Sequence, residues 1–148
     1  MKTKLILSSF FLLISVMSFA QRSQETMDKI KAMKVGLITE KLELTSEQAK
    51  TFWPTYYKFD NEKRTLSRTL RNKMRSNAGQ ELTEAEELAR QDEIFALKAK
   101  EVELAKKYRP EFLKSISAKQ YSDLVLAERE FNQMLLRELH QRRRERKN

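Results

Sequence analysis

The chain has no cysteine, and among its 148 residues there are only two glycines, two prolines and one histidine. Without cysteine there is no disulfide, no thiol nucleophile and no thiolate metal ligand. The single histidine, His140, adjoins a basic tail and has no second nitrogen ligand near it in sequence, so neither a metal nor a catalytic role is expected of it. No stretch alternates with the period of two that a half-buried strand requires. With few turn residues and 34% of its residues charged, the chain has the composition of long helices. The expected fold class is all-α: four helices, long and kinked. Nucleophile elbow, phosphate loop and zinc motif are also missing. No enzyme activity, no cofactor, no metal site and no small-molecule substrate are therefore expected.

The N-terminus carries a different signal. Lys2 and Lys4 form a charged head, Leu5 to Met17 is an apolar run broken only by serines, and Ser18-Phe19-Ala20 has the small-x-small pattern of a cleavage site. This predicts a secretory signal over residues 1–20, cleaved after Ala20. The run is shorter than the roughly 20 apolar residues of a membrane span. The protein is then expected to be exported, as a single helical domain over residues 21–140 with a basic, frayed tail over 141–148.

Three places have the spacing of a capping box, in which a Ser or Thr side chain accepts from the amide three residues on and a Gln or Glu reaches back. They are Thr45 with Gln48, Thr83 with Glu86, and Ser117 with Gln120. In the first and third an aliphatic residue, Leu44 or Ile116, precedes the cap and apolar residues follow the glutamine. We read these two as copies of one architectural device.

Leu44-Thr45-Ser46-Glu47-Gln48, with its second copy Ile116-Ser117-Ala118-Lys119-Gln120, resembles the L-T-x-x-Q motif of the Spy/CpxP group of small periplasmic helical proteins. Leu42 through Pro54, with Phe52-Trp53-Pro54, is similar to a Bacteroidetes-type branch labelled sensors of ECF-type sigma factors. The resemblance implies a periplasmic location and a thin, curved, all-helical homodimer, a helical hairpin or cradle that holds partly unfolded clients.

Periodicity places helix 1 over about 24–41, with Met27, Ile30, Met33 and Leu37 on one face, broadened by Ile38 and Leu42. Helix 2 is expected from Ser46 to about Ser76, bent at Pro54 and striped by Ala49, Phe52, Trp53, Tyr56, Phe59, Leu66, Leu70 and Met74. Gly79 is the expected left-handed residue of the following loop. Helix 3 follows Thr83, runs to about Lys107 or beyond, and meets Pro110, which should kink or end it. Its apolar residues divide into Ala85, Leu88, Phe95, Ala99 and Val102 on one face, and Ile94, Leu97, Leu104 and Tyr108 nearly opposite. One face should pack internally and the other against a second subunit, and the sequence does not choose between them. Helix 4 starts at Ala118 with the stripe Tyr121, Leu124, Phe131, Leu135 and Leu139.

The net charge is +9. Arg64, Arg68, Arg71, Lys73 and Arg75 crowd the second half of helix 2, and Arg142, Arg143, Arg144, Arg146 and Lys147 crowd the tail. In an exported protein nucleic acid is not the expected partner; an anionic lipid surface, an acidic partner or acidic unfolded clients are. Tyr57, Arg64, Arg68 and Arg71 are the candidate partner or client surface. The acids Glu81, Glu84, Glu86 and Glu87 begin helix 3, where the helix dipole favours them, and read as a solvated cluster. The mature methionines, Met27, Met33, Met74 and Met134, read as packing residues. The function expected is an ATP-independent envelope-stress holdase. The alternative, which the branch resemblance alone implies, is a periplasmic sensor or regulator of an ECF-type sigma-factor or envelope-stress signalling pathway, acting through a membrane signalling partner.

Overall fold

The structure, a computed structural model, describes residues 24–76 and 81–145. The expected leader, the expected left-handed Gly79, and Arg146 and Lys147 lie outside the described residues. The chain is all-helical: α1 covers residues 24–42, α2 Ser46–Arg75, α3 Glu84–Phe112 and α4 Ala118–Glu145, with no strand among the described residues. The described residues group into two compact units, one of residues 24–41 and 124–145, the other of residues 42–123.

The larger unit is an antiparallel hairpin of α2 and α3 with the first turn of α4 against it. Lys73 meets Glu93 near the open end, Ser67 donates to Glu101 at 3.0 Å, and Tyr108 donates to Glu62. Each helix starts at the expected box. Thr45 accepts from the Gln48 amide at 3.2 Å and Thr83 from the Glu86 amide at 3.3 Å, with both reciprocal bonds present. α2 runs on through Pro54, and α3 runs through Pro110 for two more residues. Proline removes one donor to the preceding turn, and the backbone of α3 still closes after it, because the Leu113 amide donates to the Arg109 carbonyl at 3.0 Å.

Those two extra residues place Phe112 at the centre of the core. Its ring lies 5.7 Å from Phe52, 5.5 Å from Phe59, 6.4 Å from Tyr108 and 5.8 Å from Tyr121, so side chains from α2, α3 and α4 converge on it. Phe59 and Phe112 meet edge to face, the arrangement that suits the positive edge and negative face of aromatic rings. Leu42, Tyr56 and Ile116 complete the buried set.

The smaller unit pairs α1 with the later part of α4. Its buried side chains are Ile38, Leu124, Ala127, Phe131 and one charged residue, Glu128. The expected α1 stripe is off-centre. Met33 is exposed, while its neighbour Lys34 turns inward, with its ammonium 3.6 Å from Glu128 and over the ring of Phe131. Ile38 and Leu42, expected only to broaden the stripe, are its most buried members. Met27, Met74 and Met134, read as packing residues, are also exposed, and so is Leu139 of the α4 stripe. α4 does not stop at His140 but continues through Glu145. Arg142 there donates to Glu138 one turn back at 2.9 Å, and the basic last turn opposes the negative end of the helix dipole.

Candidate partner-binding surfaces

The two motif copies meet in space. Gln48 accepts from the Thr45 amide at 3.2 Å, and Gln120 accepts from the Ser117 amide at 2.9 Å, as capping boxes require. The Gln120 amide in turn donates to Ser117 Oγ at 3.1 Å. Each glutamine then uses its NH2 group outward. Gln48 Nε2 donates to Gln120 Oε1 at 3.0 Å, while Gln120 Nε2 donates to Gln48 Oε1 at 3.3 Å and to the Leu42 carbonyl at 2.8 Å. The start of α2, the start of α4 and the end of α1 are thus tied at one point. Leu44 is half-buried beside Thr45, and Ile116 is buried beside Ser117.

The third box differs for a physical reason. Glu86 is exposed, and its carboxylate accepts from the Thr83 hydroxyl and amide, which holds its pKa below the ordinary carboxylate value. A carboxylate serves there, where no second capping box faces it among the described residues. Where two boxes face each other, each reaching side chain must accept and donate at once, which an amide can do and a carboxylate cannot.

The chain turns sharply into this knot. Glu43, directly after α1, has φ of 48°, the left-handed region that a glycine would enter without strain. Sequence reading did not single it out.

The candidate surface of α2 is one continuous face. At about 100° per residue, Trp53, Tyr57, Arg64, Arg68, Arg71 and Arg75 fall within an arc of about 60°. Trp53 and Tyr57 stack at 5.7 Å, with Trp53 half-buried and Tyr57 55% exposed. Arg64 pairs with Asp60 at 2.7 Å, whereas Arg68, Arg71 and Arg75 form no ion pair among the described residues. The four sequence-assigned residues Tyr57, Arg64, Arg68 and Arg71 therefore lie together. Lys73 does not belong with them, because it turns across the hairpin to Glu93.

α3 shows which of its two apolar faces is covered. Ile94, Leu97 and Leu104 are half-buried and Tyr108 is buried. Leu97 and Leu104 join Leu66 as the apolar lining of an open groove of about 770 Å³ between α2 and α3, where Glu62, Lys100, Glu103 and Lys107 also lie. At one end of it Tyr108 donates to Glu62 and Lys107 to the second carboxylate oxygen at 2.9 Å. These donors lower the Glu62 pKa, and the same bond pushes the Tyr108 phenol up to about 12. The opposite face is open: Leu88 and Val102 are more than half exposed and Phe95 is 60% exposed.

No family model, no curated protein and no solved structure matches this chain. Among the described residues no three His, Cys, Asp or Glu side chains come together as a metal site, and no helix is long and apolar enough to cross a membrane. His140 is exposed on α4. Of the early acids of α3, Glu87 is held by Arg90.

Proposed function

We propose that this protein is a non-enzymatic envelope-stress protein, an ATP-independent holdase that takes partly unfolded chains on the open face of α3. The observation that carries the reading is Leu88, Phe95 and Val102, two turns apart in one row and each more than half exposed. An exposed apolar row that no element covers among the described residues is the mark of a partner surface. The arginine face of α2 supports it, since long-range charge raises encounter rates without fixing one partner. On this reading the mature chain is exported, pairs as a homodimer that leaves the α3 row open to clients, and curves into a cradle with α2 and α3 bent at their prolines, as the Leu44–Gln48 motif and its second copy would have it.

An aggregation assay tests this. Residues 21–148 are mixed with a denatured model protein in the absence of ATP. Suppression near equimolar ratio, lost in Phe95→Glu, is the expected result. No suppression, with capture of one specific membrane protein instead, would replace the holdase with a sensor of envelope stress.

A further inference from the structure

α4 has a second exposed face, of a different character. Val125 and Leu136 are more than half exposed and Leu139 nearly so. At about 100° per residue they fall within an arc of about 60°. Arg129 borders the row on one side and Arg143 continues it at the end of the helix, while Arg144 and Arg137 lie about 80–100° further round, beside the exposed Leu126. All four are exposed and form no ion pair among the described residues.

The acids of this segment all lie elsewhere. Glu128 is buried beside Lys34, Glu130 meets Lys41 at 2.9 Å, and Glu138 meets Arg142 at 2.9 Å. Glu145 projects from the far side of the helix by the same angular count. An arc of about 160° is left with aliphatic, arginine, amide and histidine side chains and no carboxylate.

This pattern separates the α4 face from the α3 row. The α3 row has Glu84 and Asp92 beside it as well as Lys106, a mixed rim of the kind that protein partners meet. On α4, by contrast, exposed aliphatic residues and unpaired arginines share one acid-free face over about 29 Å. Arginine stems lie along apolar surface while their heads stay in a polar layer. A flat surface with an apolar interior and a dense anionic skin satisfies both at once.

We infer that residues 125–144 of α4 dock on an anionic lipid bilayer, lying in its surface with Val125, Leu136 and Leu139 toward the acyl boundary and the arginines among the headgroups. Each arginine near such a surface changes partitioning by about fivefold, so three together change it by roughly a hundredfold.

Vesicle co-sedimentation of residues 21–148, the chain used in the aggregation assay, tests the inference, with phosphatidylcholine alone and with phosphatidylcholine containing phosphatidylglycerol. Wild type should bind the phosphatidylglycerol vesicles more strongly than the neutral ones. Arg129→Gln/Arg137→Gln/Arg144→Gln should lose about a hundredfold of that binding. Leu136→Glu/Leu139→Glu should lose it too, and both should keep wild-type helicity by circular dichroism, since the changed residues are exposed. Equal binding of wild type to the two vesicle types would overturn the proposal. Undiminished binding by the arginine triple variant would move the contact to another basic face, such as Arg64 to Arg71, and overturn it as well. So would preference for duplex DNA over the vesicles.

Discussion

Gln48 and Gln120 donate to each other's side-chain oxygens, at 3.0 and 3.3 Å, across 72 residues of chain. Each is also the reaching residue of its own capping box, so one side chain serves a local and a distant purpose. Replacing both by Glu keeps the boxes and sets two acceptors against each other. Gln48→Glu/Gln120→Glu should lose about 1–3 kcal/mol, the usual penalty for polar groups left without partners. Repulsion raises the folded-state pKa of the pair, so stability should recover as pH falls through the carboxylate range and be worst above it. Glu86→Gln, at the isolated box, should change little. Thermal melts at acid and neutral pH check all three.

The two faces of α3 predict opposite outcomes for two neighbouring charges. Leu97→Glu removes apolar contact with Leu66 and Leu104 in the groove between α2 and α3 and should lower the melting temperature of the hairpin. Phe95→Glu should leave circular dichroism unchanged, because the side chain is 60% exposed, and abolish the suppression of aggregation. Equal behaviour of the two would remove the face assignment.

Glu62 has its pKa lowered first by the Tyr108 hydroxyl and then by Lys107. A depressed carboxylate contributes stability above its unfolded value, about 4.3, and loses it as pH falls through the folded value. For Tyr108 the sign reverses. Its phenol is raised to about 12, so its contribution is complete below the unfolded value of about 10 and disappears between there and about 12. Tyr108→Phe should therefore flatten both limbs of a stability–pH profile measured by urea titration.

Lys34 and Glu128 are a nearly buried ion pair, with side chains 13% and 9% exposed. Lys34→Met leaves a carboxylate in the packed seam and should cost about 3 kcal/mol. Lys34→Met/Glu128→Leu removes both charges and should cost much less than the two single changes together. A double-mutant cycle by chemical denaturation measures the difference.

Glu43→Gly should stabilise the chain by about 0.5–1 kcal/mol, because φ of 48° strains a residue with a Cβ. A rise in melting temperature checks it, and no rise would show that the turn relaxes around Glu43.

The helix starts were legible because capping is local: a box is four residues long and declares itself at Thr45, Thr83 and Ser117 in the same terms. The repeat was legible too, but not that its two glutamines touch, since nothing in a four-residue spacing says where the other copy lies. α1 was mis-centred because Met33 outranks Lys34 on any hydrophobic count, and only the buried Glu128 on α4 makes the lysine the better fit. The two faces of α3 are equally apolar, so the choice between them had to come from α2. Among the candidate surface residues, Tyr57, Arg64, Arg68 and Arg71 share a face because helical phase alone decides it. The acid-free face of α4 was hidden by Glu128, Glu130 and Glu138, which sit in the same stretch of sequence and point elsewhere.

The placement of the aromatic residues gives the molecule a one-sided lamp. Its single tryptophan, Trp53, and its four tyrosines, Tyr56, Tyr57, Tyr108 and Tyr121, all belong to the unit of residues 42–123, and the unit of residues 24–41 and 124–145 has none. Intrinsic fluorescence during unfolding therefore watches the hairpin unit, while far-ultraviolet dichroism watches every helix. If the two traces coincide, the dark unit melts with the lit one. If dichroism falls first, α1 and the basic end of α4 come free while the rings around Phe112 still hold.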